Sequence, residues 1–407
     1  MLARVRSNLS LSDLCLAGRG VPLHPAEVLE HAFADRLGFP HAILFPYGRT
    51  ALRALLEGLG HRGQPVLCQA YICAEVPYAV TLSGNRVVFV DSAADHFLPG
   101  IDEWRAAAIP SAAMAIITPL FGYPIDRNAE RAVRDLAPSA FILYDEAQSY
   151  GVTDSGGLQA CNADGVLLSL GLGKMATAIS GGMLLLRDTA LERRIREFRD
   201  QNCAPASIAR IIKLIAKGVA AWVAHREPAL SIVDLLGRHL GLFPVAPEDW
   251  LPAAHPKAPV DADIVPSNFQ ARVGLCQFAR IDRFLASRRQ IGSYYDRRLR
   301  EEGFRTFAAP ALPNWPRFPL AVADRGATVE ALRTEGIQVS LFLPYSCAAL
   351  PIYRSTVEDC PNAVLWASSM INLPNWHGLK MTGAQRVADS LVRLAHRNPG
   401  AVAWPGA

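Results

Sequence analysis

Short, uninterrupted apolar segments alternate with helical segments along the first half of the chain, and this alternation limits the folds open to it. Their apolar residues run continuously, which is typical of strands that helices cover on both faces. Between the first two, Leu52, Leu55, Leu56 and Leu59 follow a helical period that stops at Gly60. The pattern predicts an α/β fold with a mostly parallel sheet. The segments read AILFPYG (from Ala42), PVLCQA, RVVFVD, AAMAIITPLFG, FILYDEA and GVLLSLG.

Polar residues follow several of these strands directly. Gly48, Asp145 and Ser169 stand at the ends of their strands. In open α/β sheets, ligands bind at the carboxyl ends of the strands. We therefore expect the functional site at this edge of the sheet.

The chain changes character after residue 205. Apolar residues of the segment 206–243 follow a helical period, and Arg210, Lys213 and Lys217 fall on the opposite face. This amphipathic segment could pack on the protein or across a dimer interface, or it could lie on a membrane surface or bind a lipid-like molecule.

The C-terminal part is predicted to be a smaller α+β domain. A long helix is expected from about Phe269 to Glu302, followed by strands in FPLAVA and INLP. We predict a large domain over residues 1–255 and a small domain over residues 256–407.

Composition excludes several classes of protein. With 41 Lys+Arg against 37 Asp+Glu, the net charge is only +4, so nucleic acid is not expected as a partner. The eight cysteines form no C-x-x-C pair, so zinc spacing is absent and reduced thiols are expected. No metal site is therefore expected. Because no signal peptide and no apolar run of membrane-spanning length is found, the sequence predicts a cytoplasmic protein.

Three features at or near the strand ends could take part in catalysis or ligand binding. Lys174 stands between Gly-rich apolar stretches, where an amine is costly to bury unless it forms a Schiff base, although it could also be a surface turn lysine. Asp145 ends an apolar strand and could pair with a protonated pyridine nitrogen, or simply cap a helix. Gly48, Arg49 and Thr50 form a turn before a helix, which could hold a phosphate or be an ordinary cap.

The order and spacing of these features resemble the DegT-type family of pyridoxal 5′-phosphate (PLP)-dependent sugar aminotransferases, which have the aspartate aminotransferase fold. The resemblance covers much of the chain. The matching blocks are PYGRTALRALL, VLCQAYICAEVPYAVTLSGNRVVFVD, PLFGYPID, YDEAQSYG, SLGLGK with the following SGG, and QARVGLCQFARIDRFLASRRQIGSYYDRRL.

The resemblance implies a role for each matching residue. Lys174 would form the Schiff base with PLP and then move the proton, and Asp145 would pair with the pyridine nitrogen. Gln148 would lie near the phenolic oxygen of the ring. Gly48, Arg49, Thr50 and Ser169 would hold the phosphate, and Cys73 occupies the position where the family has an aromatic residue over the ring.

The sequence departs from the family pattern at three places. The first is Cys73. The second is DADIVPSNFQA, where Asp263 and Val265 replace an Asn-aromatic-Arg motif that reaches the partner subunit; Arg49 is our candidate for the missing charge. The third is RDQNCAP (residues 199–205), which replaces an Arg-x-His-Gly motif near the substrate.

The resemblance therefore implies a homodimeric aminotransferase. It would move an amino group from an amino acid, commonly glutamate, to a ketone, commonly that of a nucleotide-linked keto-sugar, for polysaccharide or antibiotic biosynthesis. A non-sugar or lipid-like carbonyl acceptor is the alternative that the departures and the segment 206–243 motivate. A PLP-binding regulatory protein without turnover is a further alternative, which the presence of Lys174 and Asp145 disfavours.

Overall fold

The computed structural model describes residues 2–224 and 262–405, with isolated positions 226, 229, 252 and 255–257 between them. The second half of the amphipathic segment 206–243 and most of the proline-rich stretch after it therefore lie outside the described residues. Position 255 itself is described, but residues 253–254 and 258–261 around it are not. The predicted domain boundary near residue 255 thus stays a prediction.

A seven-stranded sheet lies at the centre of the fold, in the order β1-β9-β8-β5-β4-β2-β3. β2, β3, β4, β5 and β8 pair in parallel, whereas β9 runs antiparallel to both β1 and β8. The α/β fold with a mostly parallel sheet is thereby confirmed. The strands are β1 (His41–Phe45), β2 (Pro65–Gln69), β3 (Arg86–Val90), β4 (Met114–Ile117), β5 (Phe141–Asp145), β8 (Gly165–Ser169) and β9 (Gly182–Leu186).

Helices cover both faces of this sheet, which explains the continuous apolar strands. β2 and β9 are buried along their whole length, and a β6–β7 hairpin (Thr153–Asp154, Gly157–Leu158) lies outside the sheet. The helices up to β9 and just after it are α1 (Leu11–Gly18), α2 (Pro25–Leu37), α3 (Gly48–Leu59), α4 (Glu75–Leu82), α5 (Ile101–Ala107), α6 (Arg127–Leu136) and α7 (Thr189–Asn202).

Helix α8 (Ile208–Ala224) forms the described part of the amphipathic segment. Leu214 and Gly218 face the protein, and a Cβ at Gly218 would touch Leu9 and Leu14 at 3.3 Å. The predicted apolar face is divided. Ile211 packs against the cluster that contains Leu214, whereas Ile208 is 78% exposed and Ile212 is 61% exposed. The part of the face that packs on the chain is therefore small, and the alternatives of a dimer contact or a lipid contact stay open for the rest.

The long helix predicted from Phe269 to Glu302 is wrong in one respect, because the chain forms two helices there. α9 (Asn268–Phe278) ends at Ala279, and α10 (Ile281–Glu301) begins after Arg280, whose φ of −117° and ψ of 7° are not helical. Apolar residues continue across the break, so the periodicity alone does not reveal it.

The predicted C-terminal strands FPLAVA and INLP are confirmed as an antiparallel pair, β10 (Phe318–Ala321) and β11 (Met370–Leu373). This pair and the helices around it contribute to the same hydrophobic cluster as one face of the central sheet. The remaining helices are α11 (Arg325–Thr334), α12 (Pro361–Ser369), α13 (Met381–Arg397) and α14 (Pro399–Val402), with short 3-10 helices at Leu120–Gly122, Gln159–Asn162, Cys347–Ala349 and Pro351–Asp359.

Candidate active site

A cavity of about 240 Å³ opens at the carboxyl edge of the sheet, where the sequence predicts the site. Seven of the eight predicted site residues line it, although they come from four separate segments of the chain. The eighth, Thr50, lines an adjoining cavity of about 360 Å³. The seven are Gly48, Arg49, Cys73, Asp145, Gln148, Ser169 and Lys174.

The turn from β1 into α3 supplies backbone donors. Tyr47 precedes the first turn of α3 without capping it through its side chain, and that turn contains no acidic residue. The N–H groups of such a turn and the helix dipole both favour an anion. The hydroxyl of Thr50 is buried and has no hydrogen-bond partner among the described residues, so it is a further donor in this turn.

Gly182 allows this turn to pack against the sheet. A Cβ at Gly182 would overlap the backbone nitrogen of Gly48 and the carbonyl of Tyr47. The glycine that opens β9 therefore determines where the first turn of α3 can lie. The sequence shows Gly182 only as part of SGG; its contact with Gly48 depends on the antiparallel pairing of β9 with β1 and β8.

Lys174 and Asp145 both line the cavity, and each affects the pKa of the other. Burial and the charge of Arg317 lower the pKa of the Lys174 amine and Cys73 and Asp145 raise it, which together give a pKa of about 8. Asp145 is only 4% exposed. Burial raises the pKa of its carboxyl group, and the N–H of Ala147, at 3.0 Å, and the charge of Lys174 lower it. Asp145 therefore ends its strand in a tight turn and does not cap a helix, and Lys174 is half-buried with its side chain lining the cavity.

Arg49 lines both cavities and forms an ion pair with Glu75 at the start of α4. Its guanidinium also lies 5.3 Å from the centre of the Tyr47 ring. Glu75 was not singled out from the sequence. Since Arg49 is already paired, the charge that it offers an anion in the cavity is reduced by its partner.

Gln148 is held from the C-terminal part of the chain. Its Oε1 accepts a hydrogen bond of 3.1 Å from Nη1 of Arg317, the residue that precedes β10. The amide Nε2 of Gln148 is thereby left as the donor toward the cavity. Sequence reasoning missed Arg317, because its partner lies 169 positions earlier in the chain.

Thr118 is a second residue that sequence reasoning missed. It follows β4 at the same edge as Asp145, lines the cavity, and has a buried hydroxyl without a partner among the described residues. It is the polar residue within the predicted segment AAMAIITPLFG, and that was the signal that could have identified it. Cys73 also lines the cavity, where burial raises the pKa of its thiol.

The other departures from the family pattern meet at the second cavity. The backbone N–H of Ala204 donates to the carbonyl of Asp263 at 2.6 Å, and the N–H of Val265 donates back to the carbonyl of Ala204 at 2.9 Å. Asn202, Cys203 and Asp263 line this cavity together with Arg49. Two stretches of the sequence about 60 residues apart both depart from the family pattern, and the fold brings them together at this cavity.

These residues suit PLP as a ligand. PLP has an aldehyde, a ring nitrogen, a phenolic oxygen and a phosphate. The cavity offers an amine from Lys174 for the first, the buried carboxylate of Asp145 for the second, an amide donor from Gln148 for the third and the N-terminus of α3 for the fourth. The described residues contain no cluster of three or more His, Cys, Asp or Glu side chains that could hold a metal ion. None of the described helices has the length and apolarity needed to cross a bilayer.

The chain matches the family model described as the DegT/DnrJ/EryC1/StrS aminotransferase family over residues 24–220 and 266–392. Among curated proteins, it is 26% identical over 181 residues to a dTDP-4-amino-4,6-dideoxy-D-glucose transaminase of Shigella dysenteriae, covering 44% of this chain and 48% of that one. It is 25% identical over 279 residues to a GDP-perosamine synthase of Caulobacter vibrioides, covering 68% of this chain and 62% of that one. The matches thus span about half to three-fifths of these relatives.

Solved structures share the fold along nearly the whole chain. The sugar aminotransferase CalS13 from Micromonospora echinospora superposes with a TM-score of 0.74 at 20% identity, covering 97% of this chain and 100% of that one. A DegT DnrJ EryC1 StrS aminotransferase from Brucella abortus superposes with a TM-score of 0.73 at 18% identity, covering 95% of this chain and 96% of that one.

Proposed function

We propose that this chain, which belongs to the DegT/DnrJ/EryC1/StrS aminotransferase family, transfers an amino group from an amino acid to a keto-sugar carried on a nucleotide, with PLP as its cofactor. The family resemblance inferred from the sequence is thus confirmed. The observation that carries the proposal is that Lys174 and the buried Asp145 line one cavity together with the first turn of α3, which could hold a phosphate. Glutamate is the expected donor, and a nucleotide-linked sugar is the expected acceptor because the curated relatives carry such names.

PLP would supply an aldehyde that binds the amine and a ring that accepts electrons from the substrate carbon. Lys174 Nζ is the group that holds and moves a proton beside that carbon. Because burial lowers its pKa to about 8, a larger share of the amine is neutral near neutral pH than for an exposed lysine. The lowered pKa therefore suits both a nucleophile and a base.

Asp145 contributes charge without free access to water. Its carboxylate would face a protonated ring nitrogen, which offsets the cost of its burial. Gln148 would donate from Nε2, since Arg317 occupies its Oε1. Gly48, Thr50 and Ser169, with the first N–H groups of α3, would bind the phosphate, and Arg49 would add charge from beside Glu75.

The absorption spectrum of the purified protein with added PLP, before and after glutamate, tests this proposal. We expect a visible band from the lysine imine, which glutamate converts to the ultraviolet band of the aminated cofactor. Lys174→Ala should lack the imine band, and Lys213→Ala, which removes an exposed lysine of α8, should retain it. A band that forms but does not respond to any amino acid would favour a PLP-binding protein without turnover. No band at all would refute the assignment of the site.

The acceptor requires a second experiment. The aminated enzyme is mixed with nucleotide-linked keto-sugars and, separately, with a lipid-like ketone, and the return of the imine band is followed. Return with the sugar alone supports the main proposal. Return with the lipid-like ketone alone would favour the alternative acceptor, which the departures at Asn202, Cys203 and Asp263 keep open.

We also propose that the protein is a cytoplasmic homodimer. The exposed apolar residues of α8, such as Ile208 and Ile212, are the candidate contact surface. Analytical ultracentrifugation of the wild type and of an Ile208→Ser/Ile212→Ser double variant tests this contact. Dissociation of the variant supports it. Loss of vesicle binding in the variant, with the oligomeric state unchanged, would instead support contact between α8 and a lipid surface.

A further inference from the structure

Two residues of the C-terminal part of the chain hold the loop that leads from β2 into α4. The N–H of Cys347 donates to the carbonyl of Ala70 at 2.7 Å, and its Sγ donates to the carbonyl of Ile72 at 3.2 Å. The hydroxyl of Tyr345 accepts the N–H of Ala74 at 3.1 Å. These contacts fall on every second residue of the loop, so the loop is held along its whole length.

The hydrogen bond to Tyr345 lies at the start of α4. Ala74 is the N-cap residue of this helix and has no side chain that could cap it. The backbone N–H of an N-cap residue has no acceptor within its own helix, so it needs one from elsewhere. Tyr345, which stands 271 positions later in the chain, supplies that acceptor. The position of the first turn of α4 therefore depends on the C-terminal part of the chain.

The hydroxyl of Tyr345 stays neutral in this position. Burial raises its pKa well above the usual value, and so do Cys73, Cys347 and Glu75, whereas the N–H of Ala74 lowers it. A phenol whose pKa is raised in this way keeps its proton at neutral and moderately alkaline pH. Its oxygen therefore accepts the N–H of Ala74 throughout that range.

Ala74 stands between two residues of the candidate site. Cys73 lines the catalytic cavity, and Glu75 lines both cavities and pairs with Arg49. Tyr345 itself lines neither cavity. Because residues 73–75 are consecutive, a shift of the Ala74 backbone would move both neighbouring side chains relative to the catalytic cavity.

Of these two neighbours, Cys73 acts on Lys174. Burial lowers the pKa of the Lys174 amine, Cys73 and Asp145 raise it, and Arg317 lowers it, which together give a pKa of about 8. Burial raises the pKa of the Cys73 thiol, and Lys174 lowers it. The three groups that act on the amine come from the loop before α4, from β5 and from the turn before β10. Cys73 is the one of the three whose loop Tyr345 holds.

We propose that Tyr345 and Cys347 are positioning residues for the reaction: by holding the loop before α4, they keep Cys73 beside the Lys174 amine. The proton affinity of that amine is thereby set in part by the C-terminal part of the chain. The inference rests on the proposed function for the role of Lys174, which is neutral when it binds PLP and holds a proton when it acts as an acid.

The test has two readouts on the full-length chain, and neither requires turnover. In the PLP-loaded protein, the absorption band of the imine is recorded over a series of pH values, and its midpoint gives the pKa of the Lys174 nitrogen in the imine. In the protein freed of PLP, brief treatment with acetic anhydride over the same pH series labels the neutral amine. Mass spectrometry of the peptide that contains Lys174 then gives the pKa of the amine.

The main variant is Tyr345→Phe, which removes the hydroxyl and keeps the ring. Tyr353→Phe is the matched control, since it removes another hydroxyl of the C-terminal part that contacts α4 and donates to the carbonyl of Pro77 at 2.9 Å. Cys73→Ala and the double variant Tyr345→Phe/Cys73→Ala complete a double-mutant cycle, which measures the coupling between the two side chains.

In Tyr345→Phe, we expect both midpoints to fall by about half a pH unit or more, because Cys73 moves away from Lys174 and no longer raises its pKa. Cys73→Ala should shift them in the same direction, and Tyr353→Phe should match the wild type. The double variant should match Cys73→Ala, since no thiol is left to position. Unchanged midpoints in Tyr345→Phe or in Cys73→Ala, or a double variant whose shift is the sum of the single shifts, overturn the inference.

The outcome is separable from that of the proposed function. A chain that forms no imine band would contradict the proposed function, and the acetylation midpoints would still test Tyr345. An imine band that glutamate converts, with identical midpoints in the wild type and in Tyr345→Phe, would contradict only the role of Tyr345. Should Tyr345→Phe fail to fold, Cys347→Ala removes the contact with Ile72 and should also lower the midpoints; unchanged midpoints in that variant would then overturn the inference.

Discussion

The two sides of the cavity are built in different ways. On the sheet side, strand ends and the first turn of α3 place Gly48, Asp145 and Ser169, and the arginine present there, Arg49, is paired with Glu75. On the C-terminal side, a turn held by side-chain hydrogen bonds places Arg317, which lacks a carboxylate partner among the described residues.

This difference indicates a division of work. The sheet side holds its polar groups by backbone geometry and satisfies the charges that it contains, which suits a cofactor that stays bound. The C-terminal side acts through Arg317, which orients Gln148 by a hydrogen bond and whose charge lowers the pKa of Lys174. We therefore expect changes on the sheet side to affect the cofactor, and changes on the C-terminal side to affect the proton affinity of Lys174.

The largest effect is expected from Gly182→Ala, which adds a methyl group where the backbone of Gly48 already lies. Because backbone cannot move as a side chain can, we expect a loss of about 3 kcal/mol or more in the free energy of unfolding, together with loss of PLP binding. Urea unfolding and the imine band measure these two effects. Gly326→Ala is the control, since its Cβ would have only an ordinary contact of 3.5 Å. Equal stability of the two variants would show that the contact is not needed.

Asp145→Asn keeps the shape of the side chain and removes its charge. The rate of cofactor conversion by glutamate should fall about hundred- to thousandfold, the range found for loss of a preorganised electrostatic group, while PLP stays bound. Stopped-flow absorption measures the rate, and equilibrium dialysis measures the retained PLP. A variant with near wild-type rate would remove Asp145 from the catalytic site.

Acid should weaken the contact between His96 and Ala308, which joins the chain segment after β3 to the C-terminal part of the chain. His96 Nδ1 accepts from the N–H of Leu98 at 2.9 Å, and Nε2 lies 3.0 Å from the carbonyl of Ala308, so the ring is held neutral. Burial lowers its pKa to about 4 from a usual value near 6.5. Between pH 6.5 and 4 the unfolded chain binds a proton that the folded chain does not, so stability falls as the pH falls through this window.

The loss due to His96 should reach roughly 2 kcal/mol near pH 4, because part of the ring remains in contact with water, which stabilises its charged form. Urea unfolding at pH 7.5 and pH 5, compared between the wild type and His96→Gln, isolates this contribution. The pH dependence should be shallower in His96→Gln. Identical slopes for the two proteins would exclude His96 as the source.

Arg49→Ala is expected to have the smallest of these effects, because Glu75 already neutralises much of the charge that Arg49 offers a phosphate. We expect the dissociation constant of PLP to rise about tenfold, corresponding to a single charge contact. Glu75→Gln should lower it, since it frees the same cation. Fluorescence titration of the apoprotein measures both constants, and full cofactor occupancy in Arg49→Ala would show that the backbone of the turn is sufficient.

Much of the fold was predictable because its signals are local. The continuous apolar strands, the leucine period in α3 and the strands β10 and β11 were all confirmed. The break at Arg280 was missed, since a non-helical residue can stand within an unbroken apolar pattern. What covers the apolar face of α8 was left open, because periodicity identifies such a face but not its partner, and Ile208 and Ile212 of that face are exposed in this chain.

The sequence by itself determined the chemical inventory of the site: Gly48, Asp145, Ser169 and Lys174 all follow strands whose ends meet at one edge of a parallel sheet. Only the tertiary structure decided which groups act on them. Arg317 reaches Gln148 across 169 positions of chain, Glu75 pairs with Arg49, and Gly182 accommodates Gly48. The physical reason is that strand order and period are encoded by neighbouring residues, whereas burial and charge pairing depend on segments that only folding brings together.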